Sequence, residues 1–170
     1  MAAVAVALAA GLSGMAARLS TGQLADAPEL ADRADASRRR VAPFATADAE
    51  SYGHVLDAYR LPREPDPETR RERIRDALSG AADVPLAVAE VGSEVADIAA
   101  RLVEEGNPNL QGDAIAAVLL ADAGVRAATA LAEMNLSSAD VEDDRLGRAS
   151  ELVDKTAATV QRATEVNRRE

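Results

Sequence analysis

Apolar positions recur with a helical period along almost the whole chain, and no stretch alternates apolar and polar residues between hairpin turns. The pattern predicts a first helix over about residues 2 to 20. A longer periodic segment runs from about 28 to 60, bent or interrupted at Pro43, whose ring cannot continue a helix. LPREPDP (61–67) carries three prolines in seven positions and reads as a loop. A strongly charged helix over 68–79 follows and stops at Gly80. Asp83 is then the expected N-cap of a helix carrying Val84, Leu86, Val88, Val91, Val95, Ile98 and Leu102 to a stop at Gly106. The next helix opens at NPN (107–109) and runs to about 136, and the last covers about 138–168. The expectation is an all-α bundle of about five to six helices in one domain spanning residues 1–170.

Two of these helices are apolar nearly all round. The first is built largely of Ala, with Gly11 and Gly14 expected to permit close helix approach. It lacks the positive residues a signal peptide needs before its apolar stretch, and it is short for a membrane span. It is therefore read as a buried helix and the chain as cytoplasmic. The second is the helix after NPN, where Asp122 interrupts the apolar run with Arg126 four residues on, the spacing of an intrahelical ion pair. Such helices belong at the centre of a bundle or in a subunit interface. With two of them in 170 residues, a homodimer is expected.

Composition narrows the chemistry. There is no cysteine and one histidine, His54, which removes thiolate metal sites, disulfides, a Cys nucleophile and a His-rich metal centre. No metal ligand set is predicted. The formal charge of −10 argues against nucleic acid as a partner, because phosphate contacts need a basic face. Carboxylates, amides, arginine and water are left to act.

Three places gather polar residues against apolar ones. Phe44, Asp48, Tyr52, Val55 and Tyr59 share a helical face, and the chain's only Phe and both its Tyr are among them. A carboxylate in such a stripe needs a partner or a polar pocket, and a pocket walled by aromatics suits a flat heteroaromatic ligand. His54 lies off the stripe. In NPNLQGD (107–113), Asn107 or Asn109 can cap the following helix, and Asp113 falls in or near its first turn. Gly112 is unexplained by capping, and close approach of a ligand or another backbone would account for it. Asn135 is expected to end that helix as a left-handed cap.

In this order, VAVALAAGLSGMAARLS, DAESYGHVLDAYRLPRE and GNPNLQGDAIAAVLLADAGVRAATALAEMNL resemble the cyclodeaminase/cyclohydrolase family of folate enzymes, over nearly the whole chain. The resemblance implies a largely antiparallel helical bundle that dimerises, with a tetrahydrofolate site between helices. It implies hydrolysis of 5,10-methenyltetrahydrofolate to the 10-formyl form, or closure of 5-formiminotetrahydrofolate to the methenyl form with loss of ammonia. Asp48, Tyr52, Arg60, Asn107, Asn109, Asp113 and Asn135 occupy the family's polar positions. The chain departs from the family twice. Met1 stands where a glycine-rich loop precedes the first helix, and Gly112 where a serine is usual.

On this reading Asp48 is the proton shuttle and Asp113 the ionised partner that steadies the cationic methenyl bridge. Tyr52, Asn107, Asn109 and Asn135 hold the substrate, and no tightly bound cofactor is required. Arg60 and Arg63, or alternatively Arg38 to Arg40, receive the anionic glutamate tail. NPNLQGD is expected to form one wall of the pocket and the start of the first helix another. A non-catalytic helical assembly protein of the same family is the competing reading.

Overall fold

Pro43 ends a helix rather than bending one. In the computed structural model, which describes residues 1–140 and 143–166, Pro43 separates α2 (Ala27–Val41) from α3 (Phe44–Arg60). The described residues form seven α-helices, one or two more than expected, because that break divides the longest periodic segment. The others are α1 (Ala2–Arg18), α4 (Pro67–Gly80), α5 (Asp83–Glu105), α6 (Gln111–Ala139) and α7 (Asp144–Val166), with a 3₁₀ turn over Pro108–Leu110 before α6.

Most boundaries have a local cause. In the predicted loop, the last of the three prolines, Pro67, opens α4, and Asp66 caps it by accepting from the Thr69 backbone N–H at 3.1 Å. Arg70 closes the preceding helix, donating to the carbonyls of Tyr59 and Leu61, both at 2.9 Å. Asp83 is not a cap: it lies in the first turn of α5, after Ala82. Asn135 does not end α6, which continues to Ala139 and closes on Asp140 in the left-handed region (φ 54°, ψ 48°). The last helix starts at Asp144, later than expected, and the predicted continuation beyond Val166 lies outside the described residues.

The central helix is α6, which packs against α1, α4, α5 and α7. Its Ala114, Ala117 and Val118 meet Ala16 and Ala17 of α1 and Ile98 to Val103 of α5. Its Ala132 and Leu136 meet Leu86 near the start of α5. Both α1 and α5 therefore run antiparallel to α6. Side chains this small let the backbones come close, and one point fixes the docking. Val6 of α1, fully buried, sits between Gly92 of α5 and Gly124 of α6. A Cβ at Gly124 would lie 2.6 Å from Val6 Cγ2 and one at Gly92 would lie 3.1 Å from it, so only glycines admit the valine. Of the glycines expected to permit close approach, Gly14 does so against α2, where a Cβ would lie 3.4 Å from Asp35 Oδ1 and 3.6 Å from Ala34 Cβ, whereas one at Gly11 meets nothing within 4 Å.

Charged side chains tie the periphery. Arg145 at the start of α7 donates to the Ser79 carbonyl at 3.0 Å and pairs with Asp143 at 2.6 Å and with Asp83, joining three helix ends. Its guanidinium holds the Asp143 carboxyl below the usual carboxylate range. Arg101 pairs with Asp26 at 2.5 Å. Asp122 and Arg126 form the expected intrahelical pair at 2.9 Å, which raises the Arg126 pKa, and the second Asp122 oxygen is buried with no hydrogen-bond partner among the described residues.

Candidate functional site

Asp48 sits one turn into α3, on the side that faces the first turn of α1 and the C-terminal half of α6. Two adjoining hollows share it. One, a narrow cleft of about 20 Å³, is lined by Met1, Ala2, Ala3, Phe44, Val84, Pro85, Val88, Ala128 and Leu131. The other, about 250 Å³, is lined by Ser51, Tyr52, Val55, Ala81, Leu131, Met134 and Asn135. Leu131 belongs to both, so together they make one groove with the carboxylate at its middle. The first turn of α1 that lines it has no side-chain cap, which leaves a partial positive charge on that side.

The structure thus unites Asp48, Tyr52 and Asn135. Asn135 reaches the groove from mid-helix, not as a cap: its Nδ2 donates to the Ala81 carbonyl at 3.0 Å, which orients the amide and leaves its oxygen free to accept. The groove also contains Ser51, Leu131 and Met134, which sequence reasoning missed. Ser51 is one turn after Asp48, and Leu131 one turn before Asn135, so helical spacing from the residues already named would have found both.

The aromatic enclosure expected around Asp48 is absent from a single chain. Tyr52 is 63% exposed and Tyr59 50%, while only Val55 of the stripe is buried and Phe44 half-buried. Asp48 itself is exposed and has no hydrogen-bond or ion-pair partner among the described residues. The stripe follows helical spacing correctly, but none of the described residues covers its outer face. His54 lies elsewhere, in an open hollow with Asp57, Arg73 and Asp76.

The NPN corner is at the far end of the molecule. Asn107 accepts from the Asn109 backbone N–H at 3.0 Å and donates to the Leu19 carbonyl at 2.9 Å, and its own N–H donates to Ser20 Oγ at 2.9 Å. The corner therefore packs on the C-terminal end of α1, whereas the groove lies at the N-terminal end, about 25 Å away along a 17-residue helix. Asp113 lies in the first turn of α6 as expected, 18 residues and about 27 Å of helix before Leu131. NPNLQGD is thus not a wall of this chain's own groove. Sequence order gave no measure of which ends of two antiparallel helices coincide. A Cβ at Gly112 meets nothing within 4 Å, so no backbone of the same chain approaches it.

The candidate tail-binding arginines are exposed. Arg60 pairs with Asp57 at 2.9 Å with both side chains largely in solvent, and Arg63 lies in the loop beyond. Arg60 is 12 residues after Asp48, about 18 Å along α3, so this helix carries the acid near one end and the cations at the other. In the alternative cluster, Arg40 pairs with Glu94 at 2.6 Å and Arg38 lines a shallow hollow over Val4 and Leu8. Among the described residues no three His, Cys, Asp or Glu side chains come together as a metal site would require.

Known proteins share this architecture and sequence. The chain is 33% identical to methenyltetrahydrofolate cyclohydrolase of Methylorubrum extorquens, over 96% of its own length and 84% of the relative's. Its fold matches the crystal structure of formiminotetrahydrofolate cyclodeaminase from Thermotoga maritima with a TM-score of 0.78, at 24% identity, covering 97% of this chain and 84% of that one. The family model for formiminotransferase-cyclodeaminase matches residues 1–153, nine-tenths of the sequence. The chain belongs to the formiminotransferase-cyclodeaminase family.

Proposed function

We propose that this protein is an enzyme of folate one-carbon metabolism that hydrolyses 5,10-methenyltetrahydrofolate to 10-formyltetrahydrofolate. The observation that carries the reading is the 33% identity to a methenyltetrahydrofolate cyclohydrolase along 96% of the chain. The groove supports it, because it offers an unpaired carboxylate between apolar walls and an amide, as addition of water to a flat cation requires.

The substrate's bridge carbon is bonded to N5 and N10 and shares a positive charge with them. Asp48 removes one proton from a water as its oxygen bonds to that carbon, giving a neutral tetrahedral adduct. The carbon–N5 bond then breaks. N5 takes the remaining hydroxyl proton, the oxygen becomes the formyl carbonyl on N10, and Asp48 releases its proton to solvent. One water is consumed and one proton is liberated. Water is the only co-reactant, so no tightly bound cofactor enters.

Tyr52 and Asn135 border the ring system. Arg60 and Arg63 receive the glutamate carboxylates at the far end of α3. The active form is a homodimer, since the apolar faces of α1 and α6 remain open in one copy, and its place is the cytoplasm. The deciding experiment follows the methenyl chromophore with purified protein. Its disappearance faster than in buffer, with formation of the 10-formyl product, supports hydrolysis. A stable chromophore together with ammonia release from 5-formiminotetrahydrofolate would replace hydrolysis by the deaminase reaction, and neither activity would leave a non-catalytic family member.

A further inference from the structure

Of the polar side chains that line the groove, only Asn135 is held by a hydrogen bond among the described residues, and its partner is the Ala81 carbonyl, 3.0 Å away. That carbonyl lies in the link between two helices. Helix α4 ends at Gly80 and α5 starts at Asp83, so Ala81 and Ala82 alone join them. Both alanines are buried, and Ala81 is itself part of the groove wall. Where its carbonyl points therefore decides where the Asn135 amide points.

Arg145 reaches this link from α7 and grips it on both sides. Before the link, it donates to the Ser79 carbonyl at 3.0 Å and to Ser79 Oγ at 2.6 Å. After it, the same guanidinium pairs with the Asp83 carboxylate. Asp143 aims the guanidinium, accepting from Nε at 3.0 Å and from Nη2 at 2.6 Å. The last turn of α4 has no basic residue of its own, so Arg145 also supplies the cation that a helix C-terminus favours. A flat fork of donors suits several acceptors held at fixed angles, which a single ammonium does not. Arg145 is not among the residues that line the groove.

We infer that Arg145 is a positioning residue for the groove: by clamping Ser79 and Asp83 it fixes the Ala81 carbonyl, and through that carbonyl the orientation of the Asn135 amide toward the substrate. A side chain that borders a substrate is only as well placed as the groups that hold it. One end of the amide donates and the other accepts, so a link free to turn its peptide would let Asn135 present the wrong end, or neither. The positioning stands on the geometry of the clamp. Its kinetic effect rests on the proposed hydrolysis.

The test separates the two. Arg145→Lys keeps the charge but places one nitrogen where the fork reached Ser79 and Asp83 together. The chain has four asparagines, so selective ¹⁵N labelling gives four side-chain amide signals, with that of Asn135 identified by its loss in Asn135→Ala. In Arg145→Lys the Asn135 signal should move, while those of Asn107 and Asn109 at the far end of the molecule stay in place. An unmoved Asn135 signal in a folded variant overturns the proposal. If Arg145→Lys does not fold, Ser79→Ala combined with Asp83→Ala removes two of the clamp's acceptors and must move the signal instead. With 5,10-methenyltetrahydrofolate as substrate, Arg145→Lys should raise KM on the order of 5-fold, the worth of about one net hydrogen bond, with kcat nearly unchanged. Arg148→Ala, which breaks only the surface pair with Glu90 on the same helix, should leave KM as it is. Added to Asn135→Ala, Arg145→Lys should raise KM no further, because the two act through one amide. Effects that multiply overturn the proposal. A moved Asn135 signal in a protein whose wild type turns over no methenyl folate supports the positioning and sinks the hydrolysis.

Discussion

Replacing Gly124 by Ala tests the docking of α1. The new Cβ would stand 2.6 Å from Val6 Cγ2 and 3.3 Å from the Ala2 carbonyl oxygen, where ordinary carbon contacts lie near 3.5–4.0 Å. Val6 has little room to step aside, because it is fully buried between α5 and α6 and its χ1 is stiff. Overpacking without an escape sits at the upper end of its usual range, about 3 kcal/mol. Alanine returns about 1 kcal/mol of helix propensity, which leaves a net loss of about 2 kcal/mol. For a domain of this length that lowers Tm by roughly 4–8 °C. Gly147→Ala, exposed in α7 with nothing within 4 Å of the new Cβ, is the matched control and should raise Tm by a few degrees. Thermal melts followed by far-UV circular dichroism read both. Val6→Ala combined with Gly124→Ala should then destabilise by about 1 kcal/mol less than the two singles added, because the smaller side chain removes the clash. A Gly124→Ala protein as stable as wild type, or strictly additive energies in the cycle, would refute the clamp.

Three further outcomes follow from the site and the surface network. Asp48→Asn should keep the wild-type Tm and reduce kcat by roughly 10²-fold or more, the range for losing positioned acid–base help; a variant with full specific activity sinks the assignment. Asn135→Ala should lose about 1 kcal/mol through the missing bond to the Ala81 carbonyl and raise KM for the folate, and an unchanged KM would confine Asn135 to a structural role. Asp143 has its folded pKa lowered by Arg145, so its stabilisation is present above the unfolded value of about 4 and disappears as pH falls through the folded value. The Tm difference between wild type and Asp143→Asn should therefore be widest near neutral pH and close in acid, and a gap independent of pH would refute the pairing.

Helices were legible because most of their boundaries are written locally. Three prolines mark the α3–α4 loop, Gly106 stops α5, and Asn107 with Pro108 opens the turn before α6. Residues whose meaning depends on what lies opposite were not legible. Gly92 and Gly124 matter only because Val6 arrives between them, and nothing near either glycine in the sequence says so. Tyr52 and Tyr59 lie on a true helical stripe, yet periodicity cannot say whether that stripe is covered by its own chain. Asp48 and Asp113 share a site in the sequence reading because the family motifs come as a set, while chain order holds no distances. Asn135 looked like a cap because an asparagine near a helix end usually is one, and here Asp140 takes that place.

The seating of Val6 also sets a schedule for folding. Its two glycine neighbours lie on helices made much later, Gly124 being 118 residues further along the chain. At about 5–20 residues per second of synthesis, α1 emerges roughly 6–24 s before its slot can exist. Early in that interval its alanines, valines and leucines have only α2 to pack against, and α5 (Asp83–Glu105) joins them later, still without α6 to complete the core. Closing so long a loop belongs to the slow, non-local class of folding events. The segment that fits most tightly in the finished bundle is thus the one that waits longest for a place, and the nascent chain is most open to chaperones and to aggregation through its first twenty residues.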